Sequence, residues 1–255
     1  MKLKSKLTAV VLAVALAAVA GCTATSEPPK PAPATPESVR AAIQERVGAE
    51  GKVGEIRRSP AGIWEVQVGN NVFYTDDQAN YLFVGRIIDM RTRENLTQAR
   101  VDELTRVDLK TLPLDLALKS VKGKGERTLI VFADPNCRYC KMLEQEALPK
   151  LDNVSVYTFL VPILAEDSAV KSRQIWCASD RQQAWEGWML HNQVPMGSGD
   201  CKTPIEEVTR LAEKLGVTAT PTLVFADGGR TSGALPADQL EERLAAAASK
   251  STAKN

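Results

Sequence analysis

The sequence predicts an α/β protein (α+β overall), with a small N-terminal part ahead of a larger domain built on a layered sheet. Three observations predict it. Thr128-Leu129-Ile130-Val131-Phe132 is an unbroken apolar run of strand composition, the pattern of a central strand covered on both faces. Helical and strand-like stretches then alternate to the end of the chain. Upstream, Ile63–Val68, Val72–Thr75 and Tyr81–Ile88 read as three strands parted by Asn70-Asn71 and Asp76-Asp77, with a hairpin at the first of these turns. With 255 residues, 44% of them apolar, the chain is long enough for a sizeable core.

Residues 1–21 come first, MKLKSKLTAVVLAVALAAVAG. Lys2, Lys4 and Lys6 precede an apolar run that is short for a membrane span and ends in small residues, so the segment reads as an export signal. Val19-Ala20-Gly21-Cys22 resembles a bacterial lipobox. That resemblance implies acylation of Cys22, and Thr23 after it, in place of Asp, implies outer-membrane sorting. One acylated thiol among five cysteines leaves four to pair. Residues 22–36 are rich in Pro, Ala and Thr and form a semi-rigid spacer that holds a folded body off the membrane.

An N-terminal domain is expected over 37–108. It opens on a short helix with Val39, Ile43 and Val47 on one face and continues in the three strands. It is small for an independent core, which points to a partner subunit. Leucines between 112 and 118 suggest a linker helix within 109–124, ended by Gly123-Lys124-Gly125. The catalytic domain is expected over 125–250. Its strand at Thr128–Phe132 leads through Asp134-Pro135-Asn136 into a helix from Cys137 to Lys150. Val154–Val161 is the next strand. A helical region, a strand at Thr222–Phe225, a Gly228-Gly229 turn and a helix over Leu240–Ala248 follow.

The chemistry is expected at Cys137-Arg138-Tyr139-Cys140. A cysteine at a helix N-terminus meets unpaired N–H groups and the positive end of the helix dipole, which favour thiolate, the species that attacks disulfides. The spacing lets Cys140 lie one turn on, where it closes a disulfide or expels a bound substrate. Cys137 is thus the expected nucleophile and Cys140 the resolving thiol, with the Arg138 charge favouring thiolate further. A structural disulfide or half a zinc site uses the same spacing. Zinc needs a second ligand pair, and Cys177 and Cys201 stand 24 apart with no histidine to supplement them; His191 is the only one in the chain. No metal or cofactor is expected. A net charge of +1 makes no case for nucleic acid as a partner. Thr220-Pro221 directly precedes a strand, where a residue without an N–H belongs.

Taken together, Phe132-Ala133-Asp134-Pro135-Asn136-Cys137-Arg138-Tyr139-Cys140-Lys141, Trp176-Cys177-Ala178, Cys201 and Leu215-Gly216-Val217-Thr218-Ala219-Thr220-Pro221 resemble the DsbC/DsbG family of periplasmic thiol:disulfide isomerases. The resemblance spans about residues 37–247. It implies a thioredoxin-like catalytic fold with a helical insertion, and a V-shaped homodimer joined through the N-terminal domains. It implies a redox pair at Cys137 and Cys140 and a cis-proline substrate loop at Thr220-Pro221, with Arg138 and Tyr139 also facing substrate. It also implies a structural disulfide between Cys177 and Cys201; two unpaired buried thiols are the other reading. Arg138 departs from the small residue or proline common in the family, and the lipobox departs from its soluble members. Trp176, Trp185 and Trp188 read as core, and His191 has no chemical role assigned.

The function so implied is an isomerase or reductase of misfolded or oxidised exported proteins, periplasmic and anchored through Cys22. It would be kept reduced by an inner-membrane donor of the DsbD type. A disulfide oxidase, a DsbG-like reductase of sulfenic acids and a periplasmic chaperone are the alternatives.

Overall fold

The computed structural model describes residues 33–48 and 52–252. The export segment, Cys22 and most of the spacer lie outside the described residues.

The first helix, α1 (Pro36–Val47), starts where its sequence provides a cap. Thr35 and Ser38 exchange side-chain-to-backbone hydrogen bonds, and Pro36 occupies the first turn, where no N–H is needed. An antiparallel meander follows: β1 (Val53–Arg58), β2 (Trp64–Val68), β3 (Asn71–Thr75) and β4 (Leu82–Phe83), hydrogen-bonded in that order. Val39 of α1 seals against Ile56, Trp64 and Val66 in a small core. The β2–β3 turn is made by Gly69 and Asn70, one residue ahead of the expected Asn-Asn turn, because Val68 pairs with Asn71. Gly69 takes φ 59, which suits a residue without a Cβ.

Three elements differ from expectation here. β1 was not legible in the sequence, since only Ile56 of its six residues is buried. The strand expected over Tyr81–Ile88 shrinks to the two residues of β4, and Ile88 belongs to a separate ribbon of β5 (Ile88–Asp89) and β6 (Glu94–Asn95). A helix, α2 (Leu96–Leu104), then packs on β3 through polar groups. Its buried residues are Thr97, whose hydroxyl lies 2.6 Å from the Tyr74 hydroxyl, and Arg100, bonded to Glu55, Glu65 and Glu103.

The linker helix expected within 109–124 does not form. Two 3-10 turns, Leu109–Thr111 and Leu114–Leu116, lead into a strand, β7 (Leu118–Lys122). Pro113 pushes the residue before it out of helical geometry. Leu112, Leu114, Leu116 and Leu118 also alternate with period two, the spacing of an extended chain.

The main sheet adds β8 (Arg127–Ala133), β9 (Val154–Leu160), β10 (Thr222–Phe225) and β11 (Arg230–Ser232), in the order β11-β10-β8-β9-β7. β8 and β9 are parallel and every other pair is antiparallel. The apolar run of β8 is central, as expected. Leu129, Val131 and Ala133 face one core and Ile130 and Phe132 the other. The first core is closed by α3 (Arg138–Met142), which runs on through a π-helical turn (Leu143–Ala147) and a 3-10 turn (Leu148–Lys150), and by α4 (Ser168–Cys177) and α5 (Arg181–His191). The second is covered by α6 (Ile205–Lys214) and by Val107 and Leu112. A last helix, α7 (Ala237–Thr252), returns to the first face with Leu240, Leu244 and Ala247. Among the described residues no helix is long and apolar enough to cross a membrane.

Candidate active site

β8 ends at Ala133, and after three loop residues Cys137 caps α3. Its φ of −74° and ψ of 117° turn the chain from extended to helical, and its sulfur accepts the Cys140 N–H at 3.2 Å. The expected helix position is thus reached, and a parallel β-α-β crossover holds it at the carboxyl end of a central strand.

Register explains how Thr220 arrives, 83 residues away. β10 runs antiparallel to β8 with Thr222 opposite Phe132. Thr220-Pro221, a cis peptide, therefore falls beside the exit of β8. The Cys137 thiol donates to the Thr220 carbonyl oxygen at 3.1 Å. The Thr220 hydroxyl is buried beside the Cys137 sulfur, and donating to that sulfur it favours the thiolate.

Cys137 and Cys140 are free thiols, 3% and 1% exposed. Their environments push them apart. Cys137 is lowered to about 6, first because the Cys140 thiol hydrogen-bonds to it. Burial opposes this, and the Thr220 side chain and the N–H groups of Cys140 and Tyr139 reinforce it. Cys140 is pushed far up by burial, and further by its hydrogen bond to Cys137 and the charge there. Arg138 and Tyr139 point to solvent on the first turn of α3. The leading causes at Cys137 are hydrogen bonds, and the Arg138 charge, expected to help, is not among them.

Cys177 and Cys201 form a disulfide, with Cα atoms 5.7 Å apart. It ties the end of α4 to the segment before α6. Trp176 and Trp185 are buried core residues, as expected. Trp188 does more than fill space: its indole N–H donates to the Pro135 carbonyl at 2.5 Å, and the Lys141 and Lys171 ammonium groups sit 4.0 and 4.6 Å from its ring centre. Lys171 also donates to Asn136, next to Cys137. Sequence reasoning missed this support of the loop, and it missed Asp134, whose carboxylate is the hub of the loop's hydrogen bonds. The one available signal was an aspartate at a strand exit three residues before the cysteine. His191 lies exposed in the last turn of α5. Among the described residues no three or more His, Cys, Asp or Glu side chains gather as they would around a metal ion.

The chain is similar to known proteins along most of its length. Residues 114–248 match the model of a thioredoxin-like domain, and residues 26–98 match that of the disulfide bond isomerase protein N-terminal domain. A probable thiol:disulfide interchange protein DsbC of Bordetella parapertussis is 47% identical over 75% of this chain and 68% of its own. The thiol:disulfide interchange protein DsbC of Escherichia coli is 29% identical over 80% of this chain and 86% of its own. Among solved structures, a disulfide interchange protein from Neisseria gonorrhoeae is 44% identical, with a TM-score of 0.50, and the match covers 52% of this chain and 96% of that one.

Proposed function

The chain belongs to the DsbC family of thiol:disulfide interchange proteins, and from that premise we propose that it works as a disulfide isomerase and reductase on misfolded or oxidised exported proteins. The observation that carries this reading is the split between two neighbouring thiols, Cys137 lowered to about 6 and Cys140 raised. At neutral pH the first is largely thiolate and the second keeps its proton, which suits an attacking group and a reserve thiol.

In this scheme the Cys137 thiolate attacks one sulfur of a client disulfide. A bond forms between Cys137 and that sulfur, the client S–S bond breaks, and the other client sulfur leaves as thiolate. If that thiolate, or another in the client, attacks the mixed disulfide and a new client disulfide forms, Cys137 is released and no electrons are exchanged: this is isomerisation. If Cys140 loses its proton and attacks the Cys137 sulfur, the client leaves as a dithiol, reduced by two electrons, and Cys137–Cys140 becomes a disulfide. A dithiol donor of the DsbD type, at the inner membrane, then restores the pair. Thr220 and Pro221, beside Cys137, and the exposed Arg138 and Tyr139 are assigned to client contact.

The protein acts in the periplasm as a homodimer joined through its N-terminal domains. Residues 1–21 direct export and Cys22 carries the lipid anchor to the outer membrane; the sequence pattern of that segment supports this, and the segment lies outside the described residues. Export places the chain where disulfides persist.

The role assignment is tested by trapping. Cys140→Ala should accumulate mixed disulfides with clients on non-reducing gels, and Cys137→Ala should not. The reverse pattern would sink it. The resting redox state of the pair, quenched in acid and alkylated in cells, separates the activities: mostly reduced supports isomerase and reductase, mostly oxidised supports an oxidase.

A further inference from the structure

Asp134 is the first residue after β8 and is wholly buried. Both carboxylate oxygens accept two hydrogen bonds. Oδ1 takes the Asn136 N–H at 2.7 Å and the Ser168 hydroxyl at 2.8 Å. Oδ2 takes the N–H groups of Ile163 and Leu164 at 2.8 and 2.9 Å. Among the described residues none of its partners is a lysine or arginine. A carboxylate placed this deep without a cation is costly unless its acceptors are fully used, and these are.

The four donors come from three segments that meet at the Asp134 carboxylate, three residues before Cys137. They are the loop from β8 into α3, the stretch after β9, and the first turn of α4. The Asp134 main chain adds to this, since its carbonyl accepts the Cys137 N–H at 3.0 Å. The Ser168 hydroxyl donates to Asp134 and accepts from the Asn136 side chain at 2.9 Å and from the Ala165 N–H at 3.2 Å. The loop that presents the thiol is therefore fastened to α4 and to the end of β9 through one carboxylate.

We propose that Asp134, assisted by Ser168, is the positioning group for Cys137: it holds the loop so that the sulfur lies on the Cys140 N–H and against the Thr220 carbonyl, and so sets the reactivity of that thiol. The proposal rests on the reading that Cys137 is the attacking thiol.

Asp134→Asn is an instructive change. Three of the four partners are backbone N–H groups that can only donate, and the Ser168 hydroxyl can also accept, so the amide NH2 meets at least one donor whichever way the side chain is turned, and at least one bond is lost. Two consequences for Cys137 then oppose each other. Removing a buried negative charge nearby, with nothing else moved, favours the thiolate. Releasing the loop takes the stabilising N–H groups away from the sulfur and disfavours it. Positioning predicts that the second wins.

The test uses the full chain with both thiols reduced. The Cys137 titration is followed by thiolate ultraviolet absorbance and by the pH dependence of iodoacetamide alkylation, with the labelled peptide assigned by mass spectrometry. Asp134→Asn should raise the apparent pKa by about one unit, which is about tenfold less thiolate below it. Ser168→Ala should shift it in the same direction by less, and it carries the test if Asp134→Asn fails to fold. Melting curves are recorded alongside. A lowered melting temperature with an unchanged pKa, or a pKa that falls, overturns the proposal. A wild-type protein whose Cys137 does not react ahead of Cys140 overturns the assignment of the nucleophile instead.

Discussion

Cys137 and Cys140 are one helical turn apart, yet their titrations run in opposite directions because their surroundings differ. The Cys137 sulfur receives hydrogen bonds from Cys140, and the Cys140 thiol is shut away from water. Alkylation of Cys137 should therefore follow a titration centred near pH 6, with Cys140 unreactive over the same range. A shared midpoint in the ordinary thiol range would refute the split. The sign for stability follows from linkage. The folded value lies below the unfolded one, so the reduced protein gains stability as pH rises above about 6, and the gain is lost as pH falls through that value. Cys137→Ser should remove this slope in denaturant titrations. Glu144 runs the other way. Burial pushes it up to about 7 and Glu186 adds to this, against the Trp185 N–H, which donates to it at 2.7 Å, and Lys122. Its folded value lies above the unfolded one, so stability falls as pH rises from the usual glutamate range through about 7. Glu144→Gln keeps an acceptor for Trp185 and should recover about 1–3 kcal/mol at about pH 8 relative to about pH 5, measured by urea unfolding.

Among the elements, those with strong local patterns formed where the sequence placed them, and those with weak patterns did not. β8 and β10 are continuous apolar runs between turn residues, and only a buried strand satisfies that composition. The leucines before β7 are dense enough to suggest a helix, yet they alternate with period two, and the extended chain that this spacing favours is what forms in β7. Its exposed Lys119 and Val121 mark it as an edge, held by pairing with β9 alone. Arg100 of α2 pairs with Glu55 of β1, Glu65 of β2 and Glu103 of its own helix, contacts that no apolar periodicity announces. α4 joins two fastenings, Asp134 at its first turn and the Cys177–Cys201 disulfide at its last residue. The bridge spans 24 residues, and replacing both cysteines by alanine should cost about 3 kcal/mol of unfolding free energy in the chain-entropy account. An unchanged denaturation midpoint would contradict it.

For the whole molecule, the N-terminal domain is the part that most needs a second copy. Among the described residues its buried apolar cluster holds only Val39, Ile56, Trp64 and Val66, and Tyr81, Leu82, Phe83 and Val84, on and around β4, are between 48% and 74% exposed. β4 pairs with β3 on one side and is the last strand of its sheet, so it offers an open edge with apolar side chains. In the proposed homodimer this edge meets its partner. The double change Leu82→Lys with Val84→Lys should yield a monomer in sedimentation. That monomer should still reduce insulin, because Cys137 and its supports lie in the other domain, and should lose most recovery of scrambled ribonuclease. A dimer unaffected by these charges, or a monomer with full isomerase activity, would remove the edge from the interface. The catalytic half reaches further upstream than the expected start at residue 125. Val107 is buried in the second core and its N–H donates to the Gly228 carbonyl at 2.8 Å, so an excised fragment has to begin ahead of it.

What the sequence by itself determined was everything governed by local spacing. The strand, the turn and the cysteine pair three apart on a helix place two thiols side by side, the proposed attacking and reserve groups, because a helix brings such positions to one face. The proline before Thr222 lies at a strand start because it has no N–H to give. What only the tertiary structure decided was which distant groups meet that thiol. The register of β10 against β8 brings the Thr220 carbonyl to Cys137, and the crossing of three segments gathers four donors around Asp134. An aspartate carries no mark of how many N–H groups will point at it. That number is set by chain paths that converge only once the apolar faces of the sheet are covered.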